Sequence, residues 1–189
     1  MMPIYTRRGD SGKTHVVGGP RRYKDDARVQ TYGSVDEAGA FIGVAISLIV
    51  SDPALEDIVE VLVDVQQMLW DVGADLARVD DEKHEYRTPA NAAAELEPMI
   101  DRSQAELPPL TKFILRDGTP GGAFLHLACT VVRRAERDVV RLQRVETIHA
   151  PVLTYLNRLS DLLFTLGRLV NYRTGAFETE YVHSAKVFR

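Results

Sequence analysis

With 189 residues, 45% of them hydrophobic and 26% charged, the chain is long enough to bury one sizeable core without metal or disulfide staples. Its single cysteine, Cys129, excludes an internal disulfide, and the N-terminus carries no apolar stretch of signal type, so a cytoplasmic location is expected. A net charge of −4 speaks against nonspecific nucleic-acid binding, and the longest apolar run, 38–50, is broken by Ser47 and falls short of the roughly 18 residues of a membrane span.

The charge is unevenly spread. Residues 1–24 hold six cations (Arg7, Arg8, Lys13, Arg21, Arg22 and Lys24) against Asp10, a net +5 that leaves −9 for the remainder. A basic arm on an acidic body reads either as a solvated tail or as a loop that closes on phosphate. The second reading draws on Gly9, Gly12, Gly18 and Gly19, which allow close backbone approach, and on the hydroxyls of Thr6, Ser11 and Thr14.

Beyond the arm, apolar residues recur at helical spacing. Val35, Ala38, Phe41, Ile42, Ala45 and Ile49 form one stripe, and Ser34 with Glu37 three residues on has the form of a capping box, which predicts a helix starting there or a turn earlier. Asp52 before Pro53 predicts the cap of a second helix, whose stripe runs Leu55, Ile58, Leu62, Val65, Leu69, Val72, Leu76. The polar stretch 80–89 is a connection, 91–106 a shorter third helix, and Pro108-Pro109 its stop. Thr119-Pro120 opens a fourth helix with Phe124, Leu127, Ala128, Val131, Ala135, Val139 and Leu142 on one face. A fifth begins near Pro151, and the tail from Phe177 reads as a short extended piece. Five helices without convincing alternating strands predict an all-α, five-helix up-and-down bundle in one domain over 1–189, with a loop at 1–25, the bundle at 27–175 and a tail at 176–189.

Two helical segments carry candidate chemistry. In Arg133-Arg134-Ala135-Glu136-Arg137 the helical pitch puts Arg133, Glu136 and Arg137 on one side and Ala135 on the buried stripe. Such a run is either an exposed face laced with ion pairs or an anion site. In the fifth helix Asn157 precedes Asp161 by one turn. Between helices three and four, Phe113-Ile114-Leu115 leads through Arg116-Asp117-Gly118 to the helix start at Thr119, where an anion is favoured. Phe113 alone reads as a core residue. The run 9–14 imitates a phosphate loop of the Walker type, but that pattern needs a glycine at position 7, where Arg7 stands, and a strand ahead of it. The histidines show no zinc-type spacing, and His126 with Cys129 at i+3 reads as packing.

In order along the chain, these segments resemble the PduO-type ATP:cob(I)alamin adenosyltransferases. The matching pieces are Ile4-Tyr5-Thr6-Arg7 with Gly9-Asp10 and Gly12, Lys24-Asp25-Asp26, Tyr32-Gly33 with Val35-Asp36-Glu37, Phe113-Ile114-Leu115, Gly118-Thr119-Pro120, residues 133–137, and 155–164. The resemblance implies a homotrimer with ATP between neighbouring subunits, accompanied by Mg²⁺, and cobalamin as second substrate. It also implies that Thr6, Arg7, Arg8, Gly9, Thr14, His15 and Lys24 hold triphosphate and ribose, while Arg133, Arg134, Glu136, Arg137 and Asn157 complete the nucleotide site. Phe113 would stand under the corrin and keep the lower axial ligand off cobalt. Asp36 would lie near the corrin and the subunit contact, and Arg133, Asp36 and Phe113 would act in catalysis. No protein-bound metal is implied, and an adenosylcobalamin-dependent enzyme is a candidate acceptor of the product.

The chain also departs from the family. Position 129, an expected corrinoid contact, usually holds an arginine paired with the aspartate matching Asp36, and here it is Cys129. An unpaired buried carboxylate costs about 3–5 kcal/mol, so either Asp36 is exposed or protonated, or another cation has moved in, with Arg8 and Arg116 the two candidates. Lys13, Asp117 and Ala38-Gly39 are further departures, mostly around the corrin side. They leave room for a paralogue that binds ATP or corrinoid without reacting them. A helical interaction protein with a docking arm is a third reading, and it predicts no stabilisation by MgATP.

Overall fold

The computed structural model describes residues 4–79 and 85–186. After a short antiparallel pair, β1 (Lys13–Thr14) and β2 (Arg22–Tyr23), come five helices: α1 (Ala27–Ile49), α2 (Glu56–Leu76), α3 (Ala92–Glu106), α4 (Pro120–Gln143) and α5 (Ala150–Arg173). Helix α4 packs on both α1 and α5, α3 covers α5, and α2 covers α1. The five-helix expectation holds. Parts of the connection at 80–89 and of both chain ends (1–3 and 187–189) lie outside the described residues.

The helix ends follow local chemistry. Asp52 caps a 3₁₀ turn, Pro53–Leu55, by accepting from the Ala54 N–H at 3.0 Å, and α2 continues from it. Thr119 accepts from the Gly122 N–H at 3.3 Å and Pro120 occupies the first position of α4, where its missing donor costs nothing.

The start of α1 corrects the capping-box reading. Asp26 is the cap, accepting from the Arg28 N–H at 2.9 Å, and the helix is already two turns old at Ser34. Ser34 is buried and donates to Asp138 of α4 at 2.8 Å, while Glu37 pairs with Arg134. Tertiary partners thus took both side chains that the local motif would have used. The resulting 23-residue helix is long and apolar enough to cross a membrane by length and composition. Its Val35, Ala38, Ile42, Ala45 and Ile49 are instead buried against the neighbouring helices as one stripe of the core.

The connection ahead of α4 is pinned by Asn171 of α5. Its Oδ1 accepts from the Thr119 N–H at 3.0 Å and its Nδ2 donates to the Asp117 carbonyl at 3.0 Å. The approach is so close that a Cβ at Gly118 or Gly122 would stand 2.3 or 2.1 Å from the Asn171 amide, and Gly118 also has φ +110°. Only glycine fits there. On the far side of the same segment the tail adds an antiparallel bridge: Tyr181 N–H donates to the Phe113 carbonyl and Leu115 N–H to the Thr179 carbonyl, both at 2.8 Å. The expected extended tail is therefore present, and it braces 113–115.

Candidate functional site

Helices α4 and α5 form a small cavity of about 370 Å³ lined by Arg133, Glu136, Arg137, Val140, Asn157, Ser160 and Asp161. Helical pitch explains the grouping, because residues 133, 136, 137 and 140 share one face of α4 and 157, 160 and 161 one face of α5. Asn157 donates to Glu136 at 2.9 Å, which locks the carboxylate to the amide across the two helices. Arg137 donates to the Arg133 carbonyl at 3.0 Å. Arg133 donates through Nε to Ser160 at 3.3 Å, and among the described residues its only ionic partner, Asp161, is at the limit of contact at 4.0 Å. Its terminal nitrogens make no hydrogen bond among the described residues, so they can serve an anion.

Four of the five residues expected on the nucleotide side of α4 and α5 thus meet at one cavity. Arg134 does not join them. One position on from Arg133 it is rotated about 100° around the helix, and it pairs with Glu37 of α1. Ser160 and Asp161, absent from the expected site residues, line the cavity, and their spacing of three and four from Asn157 is the signal that could have found them.

The leader carries the other expected ligands on an exposed loop. Arg7 holds a left-handed backbone at φ 59°, a conformation costly for a bulky side chain and a mark of functional loops. The Thr6 hydroxyl accepts from the Arg8 N–H at 3.4 Å, and Lys24 brings its ammonium against Gly9, where a Cβ would lie 3.2 Å from Nζ. Thr14 pairs with Arg22 across β1–β2, and His15 is exposed. The leader is fastened at Val17, which exchanges backbone hydrogen bonds of 2.9 Å with Ala77 and Val79 at the end of α2. Among the described residues no hydrogen bond or ion pair joins 6–24 to Arg133, Arg134, Glu136, Arg137 or Asn157, so one chain presents the two cationic surfaces separately.

The remaining expected residues are dispersed. Phe113 exposes about half its surface (52%), with its N–H donating to Ser184 at 3.0 Å. Asp36 is exposed and lines a larger groove of about 740 Å³ between α1 and α2, together with Trp70 and Arg87. Cys129 requires a correction. It is fully buried, its thiol donates to the Ser160 carbonyl at 3.2 Å, and it offers no surface to a corrin. Burial pushes its pKa up, opposed by the Arg133 and Arg116 charges.

Of the two candidate compensating cations, Arg116 is the one near Cys129. Its guanidinium lies 5.7 Å from the Phe164 ring centroid and bears on both Cys129 and His126. Arg8 remains in the leader, where its carbonyl accepts from Arg21. His126 is 1% exposed and its Nδ1 has no hydrogen-bond partner among the described residues. Burial first, and the Arg116 charge second, bring its pKa down to about 4. The ring fits because position 167 is glycine: a Cβ there would be 3.0 Å from His126 Cε1.

Residues 4–170 match the family model described as cobalamin adenosyltransferase. A corrinoid adenosyltransferase of Bacillus subtilis is 46% identical over 188 residues, covering all of this chain and 96% of the relative. The human corrinoid adenosyltransferase MMAB is 40% identical over 184 residues, 95% of this chain and 73% of the relative. Among solved structures, a variant of the PduO-type ATP:corrinoid adenosyltransferase from Lactobacillus reuteri, complexed with cobalamin and ATP, is 39% identical. It superposes with a TM-score of 0.93 over 98% of this chain and all of that one. The cleft of guanidiniums between α4 and α5, the pinned turn into α4 and the folded glycine-rich leader therefore sit in a chain that belongs to the cobalamin adenosyltransferase family.

Proposed function

We infer that this chain transfers the 5′-deoxyadenosyl group of ATP to the Co(I) centre of cobalamin or a related corrinoid. Cobalt attacks the 5′ carbon, the cobalt–carbon bond forms, the carbon–oxygen bond to phosphate breaks, and triphosphate leaves. Cobalt supplies the electron pair, so no general base is required. The protein's task is to align two substrates, exclude water and stabilise the departing charge. The observation that carries this reading is the open donor set of Arg133 beside Asn157 and Arg137, in a chain 46% identical to a corrinoid adenosyltransferase.

In this reading Arg133, Arg137, Glu136 and Asn157 of one protomer face the leader of a neighbour in a homotrimer. Thr6, Arg7, Arg8, Gly9, Thr14, His15 and Lys24 hold the triphosphate with its Mg²⁺, Arg134 serves the same interface, and Asp36 and Phe113 meet the corrin. The physical support is the separation of the two cationic surfaces within one chain. The protein works in the cytoplasm and passes adenosylcobalamin to a dependent enzyme. Sedimentation tests the assembly: three times the 21.1 kDa chain mass is expected, and a monomer that retains full turnover overturns it.

Cobalamin reduced to Co(I), mixed with MgATP and the protein, is expected to give the light-sensitive alkylcobalt product and one triphosphate per transfer. The loss of the usual arginine at Cys129 favours one other reading, a module that binds these ligands without reacting them. Thermal stabilisation by MgATP with no alkylcobalt product would establish that module; neither stabilisation nor product would defeat both readings.

A further inference from the structure

Arg22 is one of six leader cations, yet its guanidinium turns away from the loop and into the bundle. Nη1 and Nη2 donate to the two oxygens of Glu146, at 2.5 and 3.0 Å, and Nη1 also reaches Asp26 at 3.1 Å. Glu146 stands in the α4–α5 connection, 124 residues away in sequence, and receives Arg28 Nε at 2.9 Å as well. Two acids and two bases neutralise one another. Hydrogen bonding from Arg22, then from Arg28, holds the Glu146 carboxyl below the usual carboxylate range. A guanidinium whose fork is already occupied by a carboxylate is a poor phosphate ligand.

What Arg22 does hold is β2, and β2 holds the loop. Lys13 pairs with Tyr23 and Thr14 with Arg22, Lys24 N–H donates to the Gly12 carbonyl at 2.9 Å, and Arg21 donates to the Lys13 carbonyl at 3.0 Å. Residues 12 to 14 are thereby referred to the bundle at this end through Arg22, which joins Glu146 and Asp26, and the Asp26 N–H to Tyr23 carbonyl bond, and at the other through Val17.

We propose that the Arg22–Glu146 pair is a strut that sets the position of the leader's phosphate loop, Arg22 acting as a positioning residue and not as an anion ligand. What the loop binds rests on the adenosyl-transfer reading above. The strut itself does not.

The test uses the full chain with Arg22→Met, which leaves Glu146 paired with Arg28, and Glu146→Gln. The strut predicts that each raises the KM for ATP about tenfold with kcat within about twofold, that the corrinoid KM is unchanged, and that the double variant adds nothing. Arg22→Lys recovers part of the loss. An anion-ligand role predicts the opposite for Glu146→Gln, since freeing Arg22 would lower the KM, and that result or additive effects would overturn the strut. Limited proteolysis gives a readout independent of turnover: cleavage within 9–24 is expected to quicken in Arg22→Met, and an unchanged rate rejects the strut. A wild-type protein without adenosyl transfer defeats the functional reading alone, with the proteolysis result still deciding the strut.

Discussion

Arg28 and Arg133 are guanidiniums on the same bundle, and their surroundings differ in one respect that separates structure from function. Arg28 is 2% exposed and all its donors are engaged: Nε with Glu146 at 2.9 Å, Nη1 with the Leu76 carbonyl at 2.8 Å and the Arg78 carbonyl, Nη2 with the Thr147 carbonyl at 3.1 Å and with Glu146. Arg133 is 41% exposed on its side chain, with one hydrogen bond to Ser160 and a carboxylate no nearer than 4.0 Å. A saturated guanidinium joins elements, whereas an unsaturated one beside a cleft has capacity left for a ligand. Arginine content alone would not separate the two; the partners do.

The sharpest test is Arg133→Ala. Removing a cation that stabilises a leaving triphosphate is expected to slow adenosyl transfer about 100- to 1000-fold, or about 3–4 kcal/mol. Because Arg133 is half-exposed and lightly paired, denaturant unfolding should shift by less than about 0.5 kcal/mol. A large loss of stability would erase the distinction drawn from its partners. The converse holds for Arg28→Ala, which leaves three backbone carbonyls without their donor and Glu146 with Arg22 alone, and is expected to cost about 3 kcal/mol of folding stability. Urea unfolding checks that value. An Arg28→Ala protein as stable as wild type would mean that saturation does not mark a structural arginine here.

His126 extends the comparison to a buried group whose Nδ1 has no hydrogen-bond partner among the described residues. Its pKa falls from 6.5 in the unfolded chain to about 4 in the folded one. Below pH 6.5 the unfolded state takes up a proton that the folded state refuses, so the contribution is intact above that pH and is lost as pH falls toward 4. Between pH 7 and pH 5 the loss should be about 2 kcal/mol. Unfolding of a His126→Leu variant over the same interval should be flatter by that amount. Equal slopes would mean the ring is protonated without difficulty.

The helices were legible because each buries one stripe at a 3.6-residue period, and two of the starts, at Asp52-Pro53 and Thr119-Pro120, carry a readable cap. The α4–α5 cavity was legible for the same reason, since helical pitch alone groups residues 133, 136 and 137 and places 157 with 160 and 161. What escaped the sequence is everything decided by distant partners. Ser34 gave up its capping role to Asp138, Arg134 turned to Glu37, and Arg22 found Glu146 across 124 residues. The leader's composition announces phosphate chemistry, but its shape depends on a left-handed Arg7 and on bridges to the end of α2, neither of which has a period to read.

Arg116 tests the smallest and most local difference. The family resemblance sets an arginine at position 129, whereas here a buried thiol fills that place and the nearby cation enters from the loop ahead of α4. A charge on a loop beside the Phe164 ring is less rigidly held than one on a buried helix face, so its contribution should be modest. Arg116→Ala is expected to raise the KM for Co(I) corrinoid about three- to tenfold, about 1 kcal/mol, with the KM for ATP unchanged. Arg116→Lys should recover part of that, because charge is kept while the guanidinium over the Phe164 ring is lost. Arg8→Ala should act on the ATP side alone, since Arg8 stays within the leader. If Arg116→Ala leaves corrinoid kinetics and the sedimentation mass as in wild type, Arg116 does not take the place of the usual arginine at position 129. Arg87, which lines the α1–α2 groove with Asp36, is then the next residue to change.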